Sequence, residues 1–140
     1  MSTSEKIHVE GQASTLINAA AARVVALPPL PINGTWSING QILAVDPAVG
    51  GTTHQVQFNI AASGISIAGT ATETGLVGGA GANAWLTQPS GNPLTAAVVT
   101  LVRNAGISSG PPTAELEFTG SSVCALDWFW ELDVIVATVP

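Results

Sequence analysis

The chain has 140 residues, enough for one domain with a substantial core, and 46% of them are hydrophobic. Only 12 residues are charged, nine acidic plus three basic, so the net charge is −6 and no basic patch exists for nucleic acid or an anionic membrane. The single cysteine, Cys124, excludes a disulfide within one chain and is expected to be a buried thiol.

The surface implied by this composition is unusual. A soluble domain normally carries about 25% charged residues, whereas this chain has 9% and uses many Ser, Thr, Asn and Gln residues instead. The start, MSTSEKIHVE, lacks the features of a secretory signal, and no apolar stretch approaches the ~20 residues that span a bilayer. We expect synthesis in a cytoplasm without a signal peptide, and no membrane partner. We also expect much of the surface to be in contact with other protein molecules.

The first predicted unit, residues 1–31, is an N-terminal arm that ends in a stiff Pro-rich connector, Leu27 to Pro31. A short helix is expected from Ser14, as N-cap, through the alanine run to about Leu27, although the same residues could pair as an edge strand. Such an arm either lies on a neighbouring subunit or folds back on its own domain.

The second predicted unit, residues 32–140, is a β domain. Thr35 to Val45 predicts a strand or a hairpin turning at Asn39-Gly40, and Gln55 to Ile60 alternates between amides and apolar side chains. Ile65 and Ile67 repeat that alternation across Ser66. Trp36 and Ile38 share one parity and are expected in the core.

Three later segments complete the predicted sheet structure. Leu94 to Val102 has apolar residues at odd and even positions alike, so both faces of a strand formed there would be largely apolar. This predicts a central strand covered on both sides. Leu116 and Phe118 alternate with glutamates, and Leu126 to Val139 begins with Trp128 and Trp130 on a core-facing parity. Gly and Pro clusters separate these runs, so we predict an all-β fold, an antiparallel β-sandwich or jelly roll.

Catalytic motifs find little support. Gly106 to Gly110 matches the G-x-S-x-G elbow around Ser108, but Pro111-Pro112 and an alternating strand follow it where a hydrolase has a helix. Both histidines, His8 and His54, also precede the serine. A hairpin loop is the better interpretation, and we expect a non-enzymatic protein without a cofactor.

The acidic residues are concentrated in the C-terminal part of the chain: Glu115, Glu117, Asp127, Glu131 and Asp133. Their parities place each set on one strand face, where solvation would suffice, although calcium or a basic partner could also neutralise them. Glu115, Glu117 and Asp127 are the calcium candidates. Two histidines and one cysteine cannot form a zinc tetrahedron without carboxylates supplied by the fold.

One aromatic residue lies outside any strand pattern. Trp85 falls in the run from Gly75 to Pro93, and loops of that length are usually functional or disordered. With Asn83 and Gln88 it could anchor a protein interface or stack on a sugar ring, although packing onto its own domain is the slightly better explanation.

In composition the whole chain resembles small structural proteins of tailed-phage virions, of the decoration, fibre or tail-accessory type: few charges, many Ala, Gly and Thr, and a Pro-rich connector. This resemblance implies a virion location, homo-oligomers and binding to a coat lattice. The hypothesis from sequence is therefore a non-enzymatic particle subunit that associates through a charge-poor β surface. A lectin-like module that uses Trp85 for receptor adhesion is the alternative.

Overall fold

A computed structural model describes residues 2–16, 22–46, 55–76, 98–120 and 125–140. It contains eight strands: β1 (Thr3–Thr15), β2 (Ala22–Ala26), β3 (Gly34–Val45), β4 (Gln55–Ile67), β5 (Thr70–Leu76), β6 (Val98–Asn104), β7 (Thr113–Thr119) and β8 (Leu126–Thr138). A 3-10 turn at Ile107–Ser109 joins β6 to β7. Within the described residues no helix is long and apolar enough to cross a bilayer.

The strands form two antiparallel sheets packed face to face, so the predicted all-β sandwich is confirmed. The large sheet has the order β1-β8-β3-β4-β5, and the small sheet has the order β2-β7-β6. The C-terminal strand β8 lies between β1 and β3, and it pairs with both along nearly its whole length. The predicted hairpin loop at Ser108 is confirmed by the turn between β6 and β7.

The core lies between the sheets because the inward-facing residues of β3, β4, β7 and β8 are mostly apolar and buried. Trp128 of the large sheet stacks on Phe118 of the small sheet, with ring centroids 4.4 Å apart, and Phe58 lies 6.0 Å from Trp128 on its other side. Trp36 and Ile38 are buried as predicted. Trp130 is partly buried and packs against this core, with its ring 5.6 Å from that of Phe118.

The helix predicted from Ser14 to Leu27 is wrong in the described part of that range. Ser14 and Thr15 end β1, and residues 22–26 form β2. The alternative interpretation is confirmed, because β1 and β2 are edge strands of the two sheets. Pairing of β1 with β8 and of β2 with β7 supplies the backbone hydrogen bonds that a helix would have made internally, so tertiary context overrides the helix propensity of alanine. The described arm thus folds back on its own domain.

Strand β3 is continuous, so Asn39-Gly40 does not form a turn. Gly40 has a φ of +154°, and a Cβ there would lie 2.2 Å from the carbonyl oxygen of Glu131 on β8. The glycine therefore permits a close approach of two strands within the sheet.

One other prediction needs correction. Leu94 to Val102 is not a central strand: its described part belongs to β6, an edge strand in which Val99 is buried and Leu101 and Val102 are half-buried. Ile65 and Ile67 continue β4 beyond residue 60 without reversing its parity. They therefore lie on the outer face, 38% and 65% exposed.

Candidate functional site: an uncharged sheet face beside a charged edge strand

The outer side of the large sheet has a region without any ionisable side chain, here called the neutral face. It consists of the outward residues of β3 and β4, which are hydroxyl, amide and aliphatic side chains: Thr35, Ser37, Asn39, Gln41, Leu43, Val45, Gln55, Gln57, Asn59, Ala61, Ser63, Ile65 and Ile67. All are exposed or half-buried. The two strands are central in the large sheet, so the neutral face occupies the middle of this side of the molecule.

One end of the neutral face is apolar. Ile65 on β4 and Ile135 on β8 lie on either side of β3, and Ile135 is 42% exposed. The small side chains of Ser37 and Ser63 lie beside them and leave a shallow depression on the surface. Water contacts aliphatic surface here that the sandwich itself does not cover.

Among the side chains that the structure describes, the charges on this side of the sheet lie on β1 and β8. His8 on β1 and Asp133 on β8 are directly opposite in register. His8 Nδ1 lies 2.9 Å from Asp133 Oδ1, and His8 Nε2 lies 3.3 Å from Glu10 Oε2 and 3.7 Å from Glu131 Oε1. Lys6 Nζ lies 3.8 Å from Asp133 Oδ2. These five side chains form what we call the histidine cluster.

The histidine cluster shifts the protonation of two of its members. Hydrogen bonding to Asp133, and then to Glu10, raises the pKa of His8 above its ordinary value of 6.5. The hydrogen bond from His8 lowers the pKa of Asp133 below its ordinary value of 3.8. A protonated His8 donates one ring N–H to Asp133 and the other towards Glu10, so it acts as the cation of a carboxylate-rich group.

Three members of the cluster have the donor atoms of a metal site. The ligand atoms of His8, Glu10 and Glu131 lie within 4.8 Å of one another. Neutral imidazole and carboxylates bind divalent transition metals, and the Asp133 hydrogen bond would orient the ring. The same carboxylates are already neutralised in part by protonated His8 and by Lys6, so the arrangement is explained without a metal.

The histidine cluster borders the longest free sheet edge in the described residues. Strand β1 pairs with β8 over 13 residues without a register shift, and none of the other described strands lies on its second side. About half of its backbone N–H and C=O groups point to that open side. Such an edge is a template for pairing with another chain.

The other edges are shorter or interrupted. Strand β2 has five residues, a register shift between Arg23 and Val25, and prolines soon after its end. Strand β5 has seven residues, and Arg103 Nη1 donates to the carbonyl of Ala71 on it at 2.9 Å. Strand β6, the fourth edge, has seven residues. Bulges, prolines and covering side chains discourage pairing, so the long strand β1 is the edge best suited to accept another strand.

The structure separates the predicted calcium candidates. Glu115 and Glu117 lie on the outer face of the small sheet, whereas Asp127 lies on β8 of the large sheet and accepts a hydrogen bond from Ser14 Oγ at 2.8 Å. Glu131 and Asp133 instead join the histidine cluster. Trp85, Asn83 and Gln88, together with His54 and Cys124, lie outside the described residues, so their predicted roles stay predictions.

Sequence reasoning missed the role of His8. His8 and Glu10 are two residues apart and therefore share a strand face, which is the one signal that could have suggested the cluster. The pairing of β1 with β8 could not be inferred from alternation. Comparison of the chain with protein-family models, with curated proteins and with solved structures gave no match.

Proposed function

We propose that this protein is a non-enzymatic structural subunit of a virion or similar particle, which associates with its own copies or with a coat lattice. The neutral face carries this proposal. A soluble monomer usually covers its sheets with charged residues, whereas the two central strands here present none. Contact regions between proteins are depleted in charge at their centre, as this face is.

Two further observations support self-association. Ile65, Ile67 and Ile135 expose aliphatic surface at one end of the sheet, and burial of that surface stabilises a contact by roughly 25 cal/mol per Å². The unpaired edge of β1 offers backbone hydrogen bonds to a neighbouring copy. Catalysis has less support, because Ser108 lies in an exposed hairpin turn and not between a strand and a helix.

The first experiment is light scattering of the full chain at micromolar concentrations, with electron microscopy of the source material for a regular lattice. We expect oligomers, and we expect Ile65→Lys to shift them towards monomer because it places a charge in the neutral face. Thr100→Lys, on the exposed outer face of the small sheet, is the matched control and should leave the mass unchanged. A stable monomer with no affinity for any particle would refute the proposal.

The alternative function, glycan binding by Trp85 with Asn83 and Gln88, depends on residues outside the described part of the chain and remains a prediction. A glycan array that loses its signal in Trp85→Ala would favour it over the particle subunit.

A further inference from the structure

We infer that a second copy of this chain adds to the open edge of β1 in antiparallel orientation, about a two-fold axis that passes through His8. The inference rests on the proposed function and specifies where two subunits meet. The two five-stranded large sheets would then join into one sheet of ten strands, with both small sheets on the same side.

The charges of β1 favour this register. A two-fold axis through His8 places residue 6 of one copy opposite residue 10 of the other, because the numbers of two directly opposed residues then add up to 16. At the axis the two His8 rings face each other and repel when both are protonated. Lys6 faces Glu10 of the second copy, and the symmetry makes this pair twice. Both side chains are exposed on the outer face, where opposite charges on paired strands attract.

The inner face of β1 favours the same register. Ile7 and Val9 point towards the small sheet but are only half-buried, because the three-stranded sheet does not reach fully across the five-stranded one. With the axis at His8, Ile7 of each copy lies opposite Val9 of the other. Two aliphatic pairs therefore extend the existing core across the junction, where Val9 already packs.

Neighbouring registers lose these contacts. An axis through Val9 places Ile7 opposite Gly11, which has no side chain, and Lys6 opposite the neutral Gln12, although it brings His8 opposite Glu10. An axis through Ile7 places Lys6 opposite His8 and brings the charged Glu5 against Val9. The aliphatic pairs of the inner face therefore decide between the registers, although scattered charges on an edge usually discourage association.

Disulfide formation tests the axis, in a Cys124→Ser background that removes the native thiol. Directly opposed residues have Cα atoms about 4.5–5.5 Å apart, within disulfide range. His8→Cys should therefore form a covalent dimer on mild oxidation at micromolar protein. Cysteines away from the axis should not link to themselves, as tested with Ile7→Cys, Val9→Cys and Glu10→Cys. Each of these residues is displaced along the strand from the same residue of the second copy, by about 13 Å for residue 10. An equimolar mixture of Lys6→Cys and Glu10→Cys chains should link to each other.

Charge reversal provides a second readout in the native background. Lys6→Glu and Glu10→Lys should each weaken self-association about tenfold, and the double variant should recover it, because the pairs are restored with opposite signs. Far-ultraviolet circular dichroism confirms that each variant is folded.

The possible outcomes distinguish a failure of the proposed function from a failure of the junction at β1. A chain that remains monomeric would overturn this inference, and it would overturn the proposed function as well only if it also bound no particle. Oligomers in which residue 7 or 9 links to itself, while residue 8 does not, would overturn the register. Oligomers that show no link at any β1 position and no effect of charge reversal would overturn the edge junction, but they would remain consistent with the proposed function as a structural subunit.

Discussion

A buried hydrogen bond fixes the end of the N-terminal strand to the core, and its removal should be measurable. Trp128 Nε1 donates to Thr15 Oγ1 at 2.9 Å. Trp128 is fully buried and Thr15 is 8% exposed. Thr15→Val keeps the β-branched shape but replaces the acceptor oxygen by a methyl group, so the indole N–H is left buried without a partner.

The expected loss follows from the cost of an unsatisfied buried donor, about 1–3 kcal/mol. Burial of the new methyl group offsets up to about 0.8 kcal/mol of this. We therefore expect the free energy of unfolding to fall by about 1–2 kcal/mol. For a domain of this size the melting temperature should fall by about 3–8 °C.

The assay is urea denaturation followed by tryptophan fluorescence, at one low protein concentration so that self-association does not contribute. A double-mutant cycle with Trp128→Phe isolates the hydrogen bond, because phenylalanine has no donor to leave unsatisfied. Thr15→Val should then cost much less than in the native background. Thr100→Val, at an exposed strand position, is the control and should change stability by less than about 0.5 kcal/mol. An equal loss in both backgrounds would refute the reasoning.

Four further predictions address other parts of the structure. In dilute protein with a chelator, the NMR titration midpoint of His8 should lie above 6.5, and Asp133→Asn should lower it. The contribution of His8 to stability should be complete below pH 6.5 and be lost as the pH rises through its raised pKa. The contribution of Asp133 should be present above pH 3.8 and be lost as the pH falls through its lowered pKa. Urea midpoints measured across this pH range would reveal both effects. Gly64→Ala should destabilise by about 1–3 kcal/mol in the same urea assay, because its Cβ would lie 2.2 Å from the carbonyl oxygen of Thr72; an unchanged midpoint would contradict this. Ile107→Ser should leave the melting temperature nearly unchanged, since Ile107 is 92% exposed.

The sequence by itself determined which side chains share a face. Alternation is a local property of a strand, so it predicted the β fold, the strand positions around Phe58, Phe118 and Trp128, and the burial of Trp36. The scarcity of charge also came from composition alone. The assignment of the alanine run was wrong because helix propensity is a local preference, and strand pairing with distant partners outweighs it.

Only the tertiary structure decided which strands are neighbours, because alternation specifies faces and leaves register open. Pairing of β1 with β8 brings His8 to Asp133 across 125 positions of sequence. The unbroken parity of β4 places Ile65 on the outside of the sandwich. The division into five and three strands leaves β1 at a free edge, and it collects the uncharged side chains of β3 and β4 into one surface. These features depend on contacts between residues far apart in the chain, which no local pattern contains.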